Sequence, residues 1–496
     1  MTRWWVVVVL GILGVAGCSY QAQTRASGWS LIETEHIRLR TNLPSGRAVA
    51  IAREMQELHD VLAGNVVRCP VIAPDDRFPV TVLSSSEYEE IARTGWGAFT
   101  RHMGVTWLSD YETQIVMPDA FGRDVRQDFQ HELTHHLLAM CLPRAPLWLN
   151  EGMAKLVETA VLDGDVALIG LPPFALTRGE SQPELRHFRG IEVTVLSRFL
   201  LPSVGEIVAM TDTLVGARGA HDRLRTAGRY AGAWALVHLL MIGDSELQPR
   251  FVAFLGELGR SKDAPAALFE KHFEGVPLQA RLDRYVLDGL FRYARRPVSL
   301  PSRGVPRVRS MTAGEANLHL SWLWSDAPEN ADAEERRREH QMAALADPAI
   351  SGEVHTLAAI LRMASSRDVA AAEREIDEGL RVSADHPALL HAKVELLLHR
   401  EADATDAAGR LRKVARTASQ MCAVARVDLA AGRIQAAVQL IGAALKKRPS
   451  AWDCRAILDE AGGLVSDAGR DRRQAASSRR NSSSTRANAS RAAAAR

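Results

Sequence analysis

From Gly28 onwards the spacing of apolar and polar positions changes several times, and each change predicts an element. Trp29 to Thr41 alternates as a strand does, with Ile37 and Leu39 on one face. Ala48 to Leu62 has the three- and four-residue spacing of an amphipathic helix. Phe78 to Leu83 predicts a strand and Ser85 to Arg93 a capped helix, while Gly104 to Leu108, a turn at Ser109-Asp110 and Thr113 to Met117 predict a hairpin. One long helix is expected from Asp124 to Leu142 and another from Pro146 to Val161. Pro172-Pro173 and the polar stretch from Gly179 to Pro183 mark a loop, and Val204 to Tyr293 is helical in period, broken at Gly243 and Gly275. Strands mixed with helices predict an α+β fold for residues 28–296.

Beyond Tyr293 the pattern changes twice. Residues 297–312, within a Pro-rich and basic stretch, are expected to be a linker. Residues 313–465 turn to Ala, Leu, Arg and Glu at helical spacing and predict an all-α domain. Within it Val369 to Pro387 and Ile434 to Pro449 are alike, each a helix with small residues three and four apart, ended by proline. Their prolines lie 62 positions apart, close to twice the roughly 34-residue period of tetratricopeptide repeats. The region thus resembles a degenerate array of two to four helical hairpins; a plain helical domain without repeats fits the same pattern. Residues 466–496 contain no apolar side chain larger than alanine, so this Arg/Ser/Ala tail cannot bury a core and is expected to be disordered.

Composition adds little until it is read locally. The chain has 496 residues, 47% hydrophobic and 24% charged, as expected of globular domains. Its net charge of +2 provides no global field towards nucleic acid, and none is expected as a partner. The start of the chain is more informative. Arg3 precedes an apolar run from Trp4 to Val15, too short to span a bilayer core, and Val15-Ala16-Gly17-Cys18 follows. Residues 1–18 resemble a bacterial lipoprotein signal peptide with its lipobox. That resemblance implies lipidation at Cys18, export and a membrane anchor in the cell envelope; Ser19 points to the outer membrane, facing the periplasm. Exported proteins keep disulfides. The other four cysteines, Cys69, Cys141, Cys422 and Cys454, permit three pairings, of which Cys69–Cys141 and Cys422–Cys454 would each close within one domain. Free buried thiols are the alternative.

The chemistry centres on His131-Glu132-Leu133-Thr134-His135 within the expected 124–142 helix. Residues four apart lie one above the other on a helix, so two imidazoles can reach one metal with Glu132 beside them. Phe129, Leu133, Leu137 and Met140 gather on the opposite side, ready to pack. With 16 His in the chain this pattern alone is only suggestive. Trp148-Leu149-Asn150-Glu151-Gly152-Met153-Ala154 strengthens it, because a catalytic zinc takes three protein ligands and Glu151 follows His135 by 16 residues on the next helix. Gly152 and Ala154 lack bulk and would let the two helices approach closely. His136 points about 100° from its neighbour and is a bystander or lies behind the ligands. His59, His102, His187 and His221 form no ligand pattern.

HExxH followed by WxxEGxA resembles the gluzincin branch of zinc metallopeptidases, the peptidase-MA-like family, over about Trp29 to Tyr293. The resemblance implies a zincin-like catalytic domain and hydrolysis of a peptide or protein substrate. It also implies one zinc ion held by His131, His135 and Glu151, with Glu132 as general base. Some members place an acid four residues after the third ligand; here Lys155 stands there, and Glu158 is the candidate substitute for orienting a ligand histidine. Tyr230, in an apolar helix with His238, is the candidate oxyanion donor, and the Thr113–Met117 strand the candidate edge for an extended substrate. Packing alone is the competing account of Tyr230 and His238. Two other functions fit the same residues: an assembly lipoprotein binding a protein partner through its helical hairpins, and a zinc hydrolase acting on a cell-wall cross-link.

Overall fold

The computed structural model describes residues 28–67, 77–93, 101–103, 114–171, 202–211, 220–298, 304–324, 331–365, 368–448 and 451–461, except for positions 121, 143, 262, 452–453 and 459–460. The leader with Cys18, Cys69, the strand expected at 104–108, the 172–183 loop and the tail from 466 lie outside these residues. The chain forms two compact units, the first reaching Asp347 and the second beginning at Pro348.

The first unit is α+β. Its main sheet has six strands: β1 (Ser30–Glu33), β2 (Ile37–Thr41), β3 (Phe78–Leu83), β4 (Arg101–Met103), β5 (Gln114–Pro118) and β9 (Arg307–Ser310), in the order β4-β5-β3-β2-β1-β9. The single alternating stretch read from Trp29 to Thr41 is in fact two antiparallel strands, Ser30 facing Thr41 and Glu33 facing Arg38. β2–β3 and β3–β5 are parallel pairs, so each needs a crossover. Helix α1 (Ser45–Leu62) makes the first and helix α2 (Ser85–Arg93) lies within the second.

Every residue of β3 is buried, as a strand covered on both faces must be. Val80 and Val82 join the core formed with α1, with α3 (Arg123–Cys141) and with α4 (Leu147–Val157). Thr81 points the other way, and its hydroxyl pairs at 2.9 Å with His319 Nε2 on α10 (Ala313–Trp324). Trp29 meets His319 edge-on from the same side. The core of α3 is the face expected from its sequence: Phe129, Leu133 and Leu137 are fully buried. At about 1.5–3 kcal/mol for each buried large apolar side chain, that face alone fixes the helix against the sheet.

A second sheet of three strands, β6 (Val161–Asp163), β7 (Val166–Ile169) and β8 (Ala294–Pro297), follows α4 in the order β6-β7-β8. The remaining helices of this unit are α5 (Val204–Val208), α6 (Ala220–His238), α7 (Gln248–Leu258), α8 (Pro265–Phe273), α9 (Leu278–Asp288) and α11 (Ala331–Leu345). Two expectations are corrected here. Residues 297–312 are no simple linker: Pro297 pairs with Val166, and Arg307 to Ser310 pair with β1. Helices α10 and α11, assigned from composition to the helical domain, belong to the first unit.

The second unit is all α among the described residues. Its helices are α12 (Ser351–Ser365), α13 (Val369–Val382), α14 (Pro387–His399), α15 (Thr405–Val414), α16 (Ala418–Ala430) and α17 (Ile434–Lys447). Each packs on the next, and α12, α14 and α16 also pack successively on one another, which makes three consecutive hairpins. Their first helices open at Ser351, Pro387 and Ala418, 36 and then 31 residues apart. The two similar stretches of sequence are α13 and α17, the second helices of the first and third hairpins. Cys422–Cys454 is a disulfide. Cys141 is also disulfide-bonded; Cys69, its expected partner, lies outside the described residues.

Candidate metal centre

Three elements converge on one point. Helix α3 carries His131 and His135, a helical turn apart, on the side away from its buried apolar face. Their Nε2 atoms lie 3.1 Å from each other. Helix α4 brings Glu151 Oε2 to 3.5 Å from His131 Nε2 and 3.7 Å from His135 Nε2. The three atoms form a triangle whose edges suit a tetrahedral ion with bonds of about 2.0–2.2 Å, which separates its ligands by roughly 3.3–3.6 Å. Glu132 is buried with Oε2 4.0 Å from His135 Nε2, so its carboxylate faces the same cluster. The histidines keep 14% and 20% of their side-chain surface exposed.

The triangle is braced from behind. His131 Nδ1 meets Glu158 Oε2 at 3.1 Å, and His135 Nδ1 meets Asn150 Oδ1 at 3.1 Å. Each contact leaves Nε2 to face the cluster, the way a carboxylate or carbonyl behind a ligand histidine fixes its tautomer. Glu158 stands just after the last turn of α4, where Lys155 Nζ lies 3.1 Å from Oε2. The lysine at the departing position therefore secures the substitute acid instead of competing with it. The Tyr230 hydroxyl, from α6, donates to Glu151 Oε1 at 3.1 Å. That bond takes up Oε1 and turns Oε2 towards the imidazoles.

Tyr230, the expected oxyanion donor, is thus brought to the site, where its hydroxyl bonds Glu151. His238 contacts none of these groups directly; it pairs with Gly170 O at 2.8 Å and with the Tyr285 hydroxyl at 2.7 Å. His136 packs its ring against Phe78, 4.8 Å between centroids, apart from the donor atoms. The closeness enabled by Gly152 is to α6, not to α3: a Cβ there would lie 2.6 Å from both Ala233 O and Val237 Cγ2. The Thr113–Met117 strand is also corrected as a substrate edge, because β5 is paired on both sides and, among the described residues, β4 is the outer strand.

Electrostatics follow the geometry. Burial works to lower the His131 pKa, but contacts with Glu151 and Glu158, with the charge of Glu132, outweigh it and raise it to about 10. His135 is lowered, by burial and by His131 beside it. Burial works to raise Glu151, yet His131, His135 and Tyr230 bring it down to about 2. Glu158 is likewise held low against its burial, chiefly by Lys155 and His131. Two imidazole nitrogens 3.1 Å apart cannot both carry charge, so one proton sits among donors arranged for a cation. Glu151 Oε2, buried and accepting no hydrogen bond, completes a donor set that fits a divalent metal.

No family model, curated protein or solved structure matched the chain. One part of the site escaped the sequence, and one histidine away from it was misplaced. Asn150 had no signal beyond its place before Glu151. His59, set aside as scattered, lies with His36 and Asp60 in a second group of potential metal donors.

Proposed function

We propose that this chain is a zinc-dependent peptidase of the gluzincin type, held at the cell envelope by a lipid on Cys18. The observation that carries the reading is the convergence of His131 Nε2, His135 Nε2 and Glu151 Oε2 beside Glu132. Bound there, zinc would supply Lewis acidity and lower the pKa of water to about 7. Glu132, on the same side as the three donors, is the group to accept the proton of the attacking water and return it to the leaving amine. Asn150 and Glu158 hold the imidazoles in one tautomer, and Tyr230 keeps the Glu151 carboxylate turned inward. An extended peptide would add to the outer edge of β4 (Arg101–Met103), next to β5.

The membrane anchor rests on the leader sequence; among the described residues no helix is long and apolar enough to cross a bilayer. The three hairpins of the second unit, with first helices spaced 36 and 31 residues apart, support a tetratricopeptide-like module that binds a protein partner. That same regularity favours a second reading, in which the hairpins carry the function and the first unit is an inactive scaffold. Metal analysis and peptide hydrolysis by the mature chain separate the two. The peptidase reading expects one zinc bound at the His131 cluster, hydrolysis of an unfolded protein or a cell-wall peptide, and a Glu132→Gln variant that keeps the zinc but loses the activity. A parent chain that holds zinc there and hydrolyses neither substrate would leave the scaffold reading standing.

A further inference from the structure

We infer that the segment from Arg284 to Pro297, with the outward face of the three-stranded sheet, is a docking surface for an anionic phospholipid bilayer. Helix α9 ends at Asp288, and Gly289, at a φ of 59°, caps it in the left-handed region before the chain runs into β8. Leu287, Leu290 and Tyr293 follow one another at intervals of three and are 59%, 78% and 47% exposed. A group of large apolar side chains on one exposed stretch marks an interaction surface. The same stretch has four arginines, Arg284, Arg292, Arg295 and Arg296, against one acid, Asp288. All four arginines are exposed, and among the described residues none is paired with a carboxylate.

The apolar side chains are held outward because their neighbours are held inward. Between Leu290 and Tyr293, the ring of Phe291 packs on Trp234 and Tyr285, with centroids 5.0 Å and 5.3 Å apart. Ala294 to Pro297 then pair with β7 as strand β8, and the Val298 N–H donates to Asp165 O at 2.7 Å. Residues opposite one another in an antiparallel ladder share a face, so Arg295, Leu168 and Val161 stand side by side. Val166 and Pro297 lie on that face as well, and both Val161 and Pro297 are exposed. Asp163 is the acid of this face, at its turn end across from Val166.

Charge complementarity names the occupant. Leucine and tyrosine side chains enter the boundary between headgroups and acyl chains, while guanidinium groups on long stems stay with the phosphates. A protein partner would have to bring both a pocket for Leu290 and carboxylates for the arginines around it. The bilayer supplies an apolar layer under a sheet of anions without further shaping. Each arginine at such a surface contributes about fivefold in affinity. The lipid proposed for Cys18 keeps the surface within reach of a membrane, so modest affinity is enough. Reach depends on that lipid; affinity for the bilayer does not. Because β6 follows α4 closely, docking would orient the unit that contains the His131 cluster.

The test is flotation of the mature, unlipidated chain from Ser19 with vesicles of phosphatidylcholine mixed with phosphatidylglycerol, against phosphatidylcholine alone. Binding is expected on the mixed vesicles only and should weaken with added salt. Arg292→Gln/Arg295→Gln/Arg296→Gln should weaken it by about 100-fold, about fivefold for each charge. Leu287→Ser/Leu290→Ser/Tyr293→Ser should weaken it by about 10-fold or more. Both variants change exposed side chains, so the melting temperature should stay near the parental value. The Arg-rich tail is a second source of attraction to the same vesicles, so a single probe reads the surface itself. An environment-sensitive fluorophore on Leu290→Cys should shift to the blue on mixed vesicles and be quenched by a lipid-borne quencher. Flotation with that fluorophore still in water would assign binding to the tail and overturn the inference. A parent that does not float, or flotation unchanged in both triple variants, would overturn it as well. A chain that ignores the vesicles but self-associates through Leu290 would put a protein partner in the bilayer's place. None of these readouts involves the His131 cluster or the lipid on Cys18, so the peptidase reading is scored separately.

Discussion

Two acceptors decide how the candidate metal triangle is held. Glu158 and Asn150 meet the rear nitrogens of His131 and His135, and neither touches the point where a cation would sit. Glu158→Gln and Asn150→Ala should therefore each lower zinc affinity about 10–100-fold, read by competition with a chromogenic chelator. Unchanged affinity in both would mean that the imidazoles are fixed by packing alone. Glu132→Gln belongs to a different class, with affinity kept and turnover down by about 10²–10⁴. The candidate ligands were legible in the sequence because helical spacing alone places His131 above His135, and Glu151 could be sought on the next helix. Glu158 was legible as the nearest acid on that helix. Asn150 was not, because its contact depends on the angle at which α4 crosses α3, which no local spacing encodes. Tyr230 could be named, but its bond to Glu151 could not, since it spans 79 positions of chain.

Element by element, the amphipathic helices were the readable part and the short exposed strands were not. Helix α3 runs from Arg123 to Cys141, within one residue of its expected ends, because its apolar face follows one unbroken period. Helix α4 stops at Val157, four residues early, because Val161 to Ile169 turn back as a hairpin through Gly164 at positive φ. Strands β8 and β9 are mostly exposed and rich in arginine, so they carry no apolar alternation and read as linker. One close helix contact was also hidden. Gly152 rests on the backbone of Ala233, and only the absence of a Cβ permits it. Gly152→Val should force α4 away from α6, costing about 1–3 kcal/mol as overpacking does. Because Glu151 and Tyr230 sit on those two helices, zinc affinity should fall along with the denaturation midpoint. A stable variant with parental zinc affinity would show that the α4–α6 spacing is not what places the ligand.

At the scale of the molecule, the chain divides into two compact units, and a perturbation within one should be read in the unfolding of that unit. The candidate metal centre belongs to the first unit, and chelation should move only its transition. The second unit contains a different sensitivity. His391 on α14 is fully buried with Nδ1 making no hydrogen bond, and burial, aided by Arg426, pushes its pKa down to about 4. Arg426 is itself bound to Glu395 at 2.6 Å, so that carboxylate is already engaged. An unfolded chain protonates this imidazole below about 6.5, the folded unit only below about 4. Between those values the unfolded state binds more protons, and stability falls as pH falls: by about 2 kcal/mol at pH 5 and about 3 kcal/mol near pH 4. The contribution is complete above pH 6.5. Denaturant titrations at pH 7 and pH 5 should show this loss in the second transition, and His391→Leu, which keeps an apolar side chain in the same site, should remove most of it. A loss of the same size in His391→Leu would move the acid sensitivity to other groups.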